Sequence, residues 1–236
     1  SIMEGSIIYF CVGDEYTMHA QLTQLDKKLI IDLFKAQVIK VGTFRLRVGE
    51  EPPYTYVLTP FLIDVRVLVS YPVLMKRVAR RYKIVLDAFR FHRMVAIPYA
   101  ALPIVATVSM MNNKPWIYPR REVKEYGTKN AIEGEFHAGE IVVLLDDTVT
   151  TGNTLVVAID KLIHHKLLIG DIVLLVDRGE KGIPMLRSRG YRVHTLYHID
   201  DILRVLFETQ NITKKQLITI NKDHKILQQA VAETRK

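Results

Sequence analysis

Four short apolar runs punctuate the chain: residues 94–97 (MVAI), 141–145 (IVVLL), 172–176 (IVLLV) and 192–197 (RVHTLY). Unbroken apolar runs of this length suit strands covered on both faces. Helical spacing is predicted between them, at 102–111, 154–168, 183–189 and 199–207, and upstream at 73–89. Strands alternating with helices imply βαβ units and a parallel sheet. Towards the start, residues 16–39 carry Leu22, Leu25, Leu29, Ile30, Leu33 and Phe34 near helical spacing, with Gly42 read as the stop. Residues 43–48 alternate and are predicted as a strand. Residues 54–69 read as extended, broken at Pro60. The stretch 213–233 is predicted as a helical pair or one broken helix. Residues 114–139 are polar, with few apolar anchors, and connections of that length are functional lids or disordered.

Composition narrows the class. With 236 residues, 49% hydrophobic and 25% charged, the chain can bury a normal core as one α/β domain. The formal charge of +8 suits acidic partners, among them phosphorylated small molecules. The basic residues are scattered, which argues against a nucleic-acid surface. Cys11 is the single cysteine, so an internal disulfide and a thiolate cluster are excluded and a reducing, cytoplasmic setting is expected. No apolar stretch reaches ~18 residues, so no membrane span is expected. Ser1-Ile2 ahead of Met3 reads as a cloning remnant. His164-His165 are read as surface or partly buried groups, Met110-Met111 and Trp116 as packing groups, and the histidines form no metal triad.

The most informative stretch is 141–155, IVVLLDDTVTTGNTL. An apolar strand ends in two acids, Asp146 and Asp147. Thr148, Thr150, Thr151, Gly152, Asn153 and Thr154 follow before a helix starts. Ligands of open parallel sheets bind beyond the carboxyl ends of the strands. Small hydroxyl residues and a glycine let the backbone wrap a phosphate, with amides aimed from a helix start. No lysine stands where a Walker loop needs one, so a triphosphate cradle is disfavoured. The two carboxylates would repel a phosphate they faced. They are better placed to accept hydrogen bonds from sugar hydroxyls or to touch a magnesium shell. A ribose 5-phosphate meets both requirements.

This stretch resembles the PRPP-binding motif of type I phosphoribosyltransferases. The resemblance implies that residues 150–154 hold the 5-phosphate and that Asp146 and Asp147 hold the ribose hydroxyls. Residues 118–134, YPRREVKEYGTKNAIEG, resemble the mobile catalytic loop of orotate phosphoribosyltransferases, especially that of eukaryotic UMP synthases. By that resemblance Lys124 is the catalytic lysine, and Arg120 and Arg121 contact the diphosphate. Tyr126 stands where many members have a pyrophosphate-binding histidine. In the family this loop reaches the neighbouring subunit's site, so a homodimer is implied. Residues 96–104, with Tyr99 and Ala100, resemble the pyrophosphate loop; Ala100 replaces a lysine common in bacterial members. Arg178 in VDRG corresponds to the arginine that binds the orotate carboxylate. Arg47 in GTFRLRVG stands for a conserved family lysine.

Residues 50–64 hold an insertion of about seven residues relative to the family. Either Tyr54-Thr55-Tyr56 or Phe61-Leu62-Ile63 lines the base, and the second is favoured, giving Leu62 and Ile63 with Thr150 as orotate contacts. The resemblance implies a Rossmann-like α/β core at 65–207, an N-terminal hood at 1–64, a helical tail at 208–236, and Mg2+ on the substrate. The implied reaction is orotate plus PRPP giving orotidine 5′-monophosphate and pyrophosphate. A related enzyme for another base, and a non-catalytic PRPP-binding regulator, are the alternatives.

Overall fold

The structure, a computed structural model, describes residues 22–48, 55–121 and 131–233. Fifteen helices and strands follow in chain order, with one 3-10 turn. They are α1 (Gln24–Lys35), β1 (Ile39–Val48), β2 (Thr55–Ile63), the 3-10 turn Val65–Ser70, α2 (Pro72–Leu86), β3 (Arg93–Ala96), α3 (Ala101–Asn112) and β4 (Trp116–Pro119). Then come β5 (Ile132–Glu133), β6 (Ile141–Thr148), α4 (Asn153–His164), β7 (Leu168–Asp177), α5 (Gly182–Ser188), β8 (Arg192–His198), α6 (Ile199–Glu208) and α7 (Lys214–Glu233).

Six strands form the central sheet in the order β5-β4-β3-β6-β7-β8, parallel except for the β4–β5 pair. The apolar runs serve two faces because strand side chains alternate. Met94, Ala96, Val143, Leu145, Val173 and Leu175 face a core shared with α1, α2, α3 and α6. Val95, Ile97, Val142, Leu144, Ile172 and Leu174 face the opposite core, covered by α4 and α5. This is why these strands are apolar throughout rather than alternating.

The helices carry matching stripes. Leu155, Ala158, Ile159 and Leu162 of α4 are buried at i, i+3, i+4, i+7 spacing. A capping box opens α1: Thr23 Oγ1 accepts from the Asp26 amide at 3.2 Å, and the Thr23 amide donates to Asp26 Oδ2 at 3.0 Å. The described helix therefore starts later than the predicted 16–39, whose first residues lie outside the described set, and it ends at Lys35 well before Gly42.

Gly42 lies inside β1, not at a helix end. β1 and β2 form an antiparallel hairpin whose register jumps between Val41 and Phe44. Gly42 and Thr43 thus stand opposite Pro60 alone, a bulge. Proline has no N–H to give a ladder, so it fits where pairing is interrupted. The extra residue keeps one face continuous. Val57, Thr59, Phe61 and Ile63 line it on β2, while β1 supplies Ile39 and Val41 before the bulge and Leu46 after it. Leu46 and Val57 pack on Leu227 and Val231 of α7. The tail is one unbroken helix seated on the hairpin, and it is not a pair.

Two further expectations change. The polar stretch 114–139 contains β4 and β5, anchored by buried Ile117 and Ile132; residues 122–130 lie outside the described set. Trp116 packs against the core and stacks on Tyr118 at 5.8 Å, but Met110 is 87% exposed and packs on nothing. Among the described residues, no helix is long and apolar enough to cross a membrane.

Candidate active site

β6 delivers its two acids to the carboxyl edge of the sheet. Buried Tyr82 on α2 donates its hydroxyl to the Asp146 carbonyl at 2.7 Å, fixing the strand end. The Asp147 amide donates to Asp146 Oδ1 at 2.9 Å and the Thr148 amide to Asp147 Oδ1 at 2.7 Å. Asp146 is 8% exposed. Burial, and then the neighbouring Asp147 charge, push its carboxyl well above the ordinary range, with Arg121 pulling the other way. Burial also raises Asp147, offset by the Thr148 amide and the Arg178 charge. Burial, more than any neighbour, thus disfavours the ionised form of both acids in the free protein.

The turn after the acids is shaped by close backbone approach. Gly152 has φ +87°, a left-handed conformation that glycine adopts without strain. A Cβ there would meet Met185 Cε at 2.3 Å. Gly182, at the start of α5, donates its amide to the Thr150 carbonyl at 2.8 Å. A Cβ on Gly182 would lie 2.0 Å from Val149 Cγ1 and 2.9 Å from the Thr150 carbonyl oxygen. α4 starts from Gly152, which has no side chain to cap it, and an anion suits such a helix start.

These features open on one cavity of about 810 Å³. Asp146, Asp147, Thr148, Thr150, Thr151, Gly152 and Thr154 line it, but Asn153 does not. Tyr99, Ala100, Arg120 and Arg121 also line it. The Arg121 guanidinium sits 5.6 Å from the centre of the Tyr99 ring. Arg120 is ion-paired with Glu133. The Pro98–Tyr99 peptide is cis. Ile63 reaches the cavity while its neighbour Leu62 does not. Tyr56 is 52% exposed and also outside the lining. Lys124, Tyr126 and Tyr54 lie outside the described residues, as does the Arg47 side chain.

Two cations of the cavity were not singled out from sequence. Lys161 donates to the Arg120 carbonyl at 2.7 Å. It shares one face of α4 with Thr154, Val157 and Ala158, all cavity residues; their i, i+3, i+4, i+7 spacing was the available signal. Arg66, paired with Asp64 at 2.6 Å, enters just beyond Ile63, and nothing in the local sequence marks it.

Arg178 is elsewhere than expected. It is 3% exposed and does not line the cavity. Its Nε and Nη2 donate to Glu180 at 3.0–3.1 Å, Nη2 reaches Thr59 Oγ1 at 3.3 Å, and the guanidinium lies 4.8 Å from the Phe61 ring centre. A buried guanidinium requires a counter-charge, and Glu180 is the nearest carboxylate.

No family model matches the chain. It is, however, 30% identical over 187 residues to an orotate phosphoribosyltransferase of Caenorhabditis elegans, covering 78% of this chain and 79% of that one. The chain belongs to the orotate phosphoribosyltransferase family. It is 32% identical over 192 residues to the bifunctional enzyme PyrF/PyrE of a Nostoc strain, covering 81% of this chain and 39% of that one. The solved UMP synthase of Leishmania donovani superposes with a TM-score of 0.74 and 36% identity, over 86% of this chain and 42% of that one. The chain thus spans about two fifths of the length of those two relatives. The mostly parallel α/β architecture expected from the sequence is the fold shared with the Leishmania structure.

Proposed function

We propose that the chain transfers the phosphoribosyl group of PRPP to orotate, giving orotidine 5′-monophosphate and pyrophosphate in pyrimidine biosynthesis. The observation that carries this reading is the cavity itself. A helix start at Gly152 with small hydroxyl residues, two buried acids whose ionised forms are disfavoured, and the cations Arg120 and Arg121 line it together. Family membership supports the choice of reaction.

In this reading the amides and hydroxyls of residues 150–154 bind the 5-phosphate. Asp146 and Asp147 accept hydrogen bonds from the ribose 2′- and 3′-hydroxyls, which would relieve the charge they now hold. Arg120 and Arg121, with Lys124 and Tyr126, stabilise the negative charge that gathers on the leaving pyrophosphate. A nitrogen of the base attacks the anomeric carbon as the bond to pyrophosphate breaks, so no covalent enzyme intermediate is required. Ile63 and Thr150 flank the base, and Arg178, Arg47 and Leu62 complete its surroundings.

Adjacent carboxylates are hard oxygen donors and suit Mg2+, which Asp146 or Asp147 would touch, directly or through water. When bound, the ion neutralises diphosphate charge. Among the described residues, no cluster of three or more His, Cys, Asp or Glu is positioned as a metal cage, so the ion would ride mainly on substrate oxygens. A homodimer that shares the loop between subunits, working in the cytoplasm, belongs to the same reading; the lone cysteine supports the compartment.

Orotate depletion, followed in the presence of PRPP and magnesium, tests the proposal. Turnover of orotate is expected. Turnover of adenine, hypoxanthine or uracil with none of orotate would reject the choice of base. Absence of PRPP-dependent turnover with every base would reject catalysis.

A further inference from the structure

Lys161 joins two elements of the cavity that are far apart in the chain. It stands on α4 two helical turns beyond Thr154, half-buried, on the face that lines the cavity. Helical side chains lean towards the helix start. The ammonium donates to the Arg120 carbonyl at 2.7 Å. The packing of α4 does not depend on it: Leu155, Ala158, Ile159 and Leu162 are the buried residues of that helix.

The Arg120 carbonyl lies beyond the parallel ladder. β3 and β4 pair Met94 with Trp116 and Val95 with Ile117, and β3 ends at Ala96. A buried or half-buried carbonyl still requires a donor, and α4 supplies it. The rest of Arg120 is held from the other side. Its amide donates to the Ala131 carbonyl at 2.9 Å, and its side chain is ion-paired with Glu133 of β5. Arg120 is thus tied through amide, side chain and carbonyl. A carbonyl fixes the plane of its peptide, and the plane that Lys161 fixes is the one joining Arg120 to Arg121.

Arg121 gains most from this. It is exposed, yet its guanidinium lies 5.6 Å from the centre of the Tyr99 ring, and its charge acts on Asp146. A long exposed side chain loses rotamer freedom whenever it is put to use, and a backbone already fixed lowers that cost.

We propose that Lys161 is a positioning residue for the transfer reaction: it locks the Arg120–Arg121 peptide and so presents the Arg121 guanidinium to the cavity beside Tyr99 and the two acids. This rests on the reading of Arg121 as a cation for the leaving diphosphate. Lys161 touches backbone, so its effect passes through Arg121.

The test is a double-mutant cycle in the full chain, read by steady-state kinetics with orotate, PRPP and magnesium. Lys161→Met keeps the side-chain length, removes the donor and suits a helix. It should lower kcat about tenfold and change the KM for orotate about twofold or less. Lys161→Arg keeps a cationic donor and should return kcat to within about threefold of the native value. Arg121→Gln alone should lower kcat about tenfold or more. In that background Lys161→Met should cost a further twofold or less, about the error of additivity, because the group it positions is already gone. Losses that multiply, an unchanged kcat in Lys161→Met, or no recovery in Lys161→Arg would overturn the proposal. Should Lys161→Met not fold, Lys161→Ala replaces it under the same criteria. A native chain without PRPP-dependent turnover of orotate would remove the underlying reading, and an unaffected Arg121→Gln would remove the role of Arg121; the proposal falls with either. Both results differ from one in which each single change costs activity and the two losses multiply, which leaves the reading standing and ends the proposal alone.

Discussion

The two ends of the central sheet treat their acids in opposite ways. At the amino ends of the strands, each acid is matched to a fixed cation. Glu140, just before β6, receives Arg93 Nε at 2.5 Å and Nη2 at 3.0 Å. That hydrogen-bonded contact holds its carboxyl at about 2 against an ordinary 4.5. Asp171 on β7 accepts from Arg192 Nε and Nη2 and contacts His194 Nε2, all at 2.9 Å. Burial would raise it, but these partners bring it down to about 2. At the carboxyl end of β6, Asp146 and Asp147 are pushed up instead. The same strands carry a satisfied edge and an under-balanced one. Satisfied charges stabilise the fold; among the described residues, Asp146 and Asp147 have no cation matched to them in the same way.

Substitutions at the two edges should therefore separate function from stability. The largest effect is expected in the segment that resembles the family's catalytic loop. Lys124→Ala should lower kcat about a hundredfold or more and change PRPP affinity only about threefold or less, read by steady-state kinetics beside calorimetry. Unchanged turnover would remove the role assigned to that lysine. Next, Asp147→Asn should weaken PRPP binding about tenfold, because a charge-assisted contact to the sugar is lost. The same change should raise the melting temperature of the ligand-free protein by roughly a few degrees, since it removes a repulsion. A variant that loses binding and stability together would contradict the contrast between the edges.

Smaller effects belong to the amino edge. Arg93→Gln should cost about 1–2 kcal/mol in denaturant unfolding at neutral pH and leave kcat alone. The pH sign follows from the depressed Glu140 carboxyl. Its stabilisation is full above about 4.5 and is lost as the pH falls towards 2. The variant lacks that increment, so its acid unfolding, followed by circular dichroism, should begin at higher pH than in the native chain. The smallest effect is expected away from both edges. Lys83, paired with Asp87 at 2.7 Å across one turn of α2, should give about 0.5 kcal/mol or less on replacement by alanine.

Much of this arrangement was legible in the residues, and the exceptions share a cause. The runs around Val95, Val143 and Val173 could be read as strands because covered parallel strands repeat apolar residues without a break. The acids and the threonine-rich turn could be read because their chemistry is local, within nine residues. What local pattern could not convey was pairing at a distance. β4 and β5 are short, and Ile117 and Ile132 become anchors only when the chain doubles back. Gly42 looks like a stop until Pro60 stands opposite it. Arg178 reads as a ligand-facing arginine until Glu180 is seen to hold it, and Arg66 gains meaning only beside a cavity built from other elements. Met110 shows the converse: an apolar residue at helical spacing whose face meets solvent.

The bulge at Gly42 and Thr43 gives the hairpin a property that ordinary sequence comparison would not weigh. Side chains of a strand change sides with every residue, but Gly42 and Thr43 together fill one position, so losing either would leave Leu46 facing Leu227 and Val231, whereas losing Arg45 from the regular ladder would turn it away. The tail would lose its seat, and with it the roof of Gln228 and His224 above the Gly179 turn. Losing one residue of that ladder, far along the chain from the turn, would thus act on it like the loss of twenty, while the bulge could give up a residue without effect on parity.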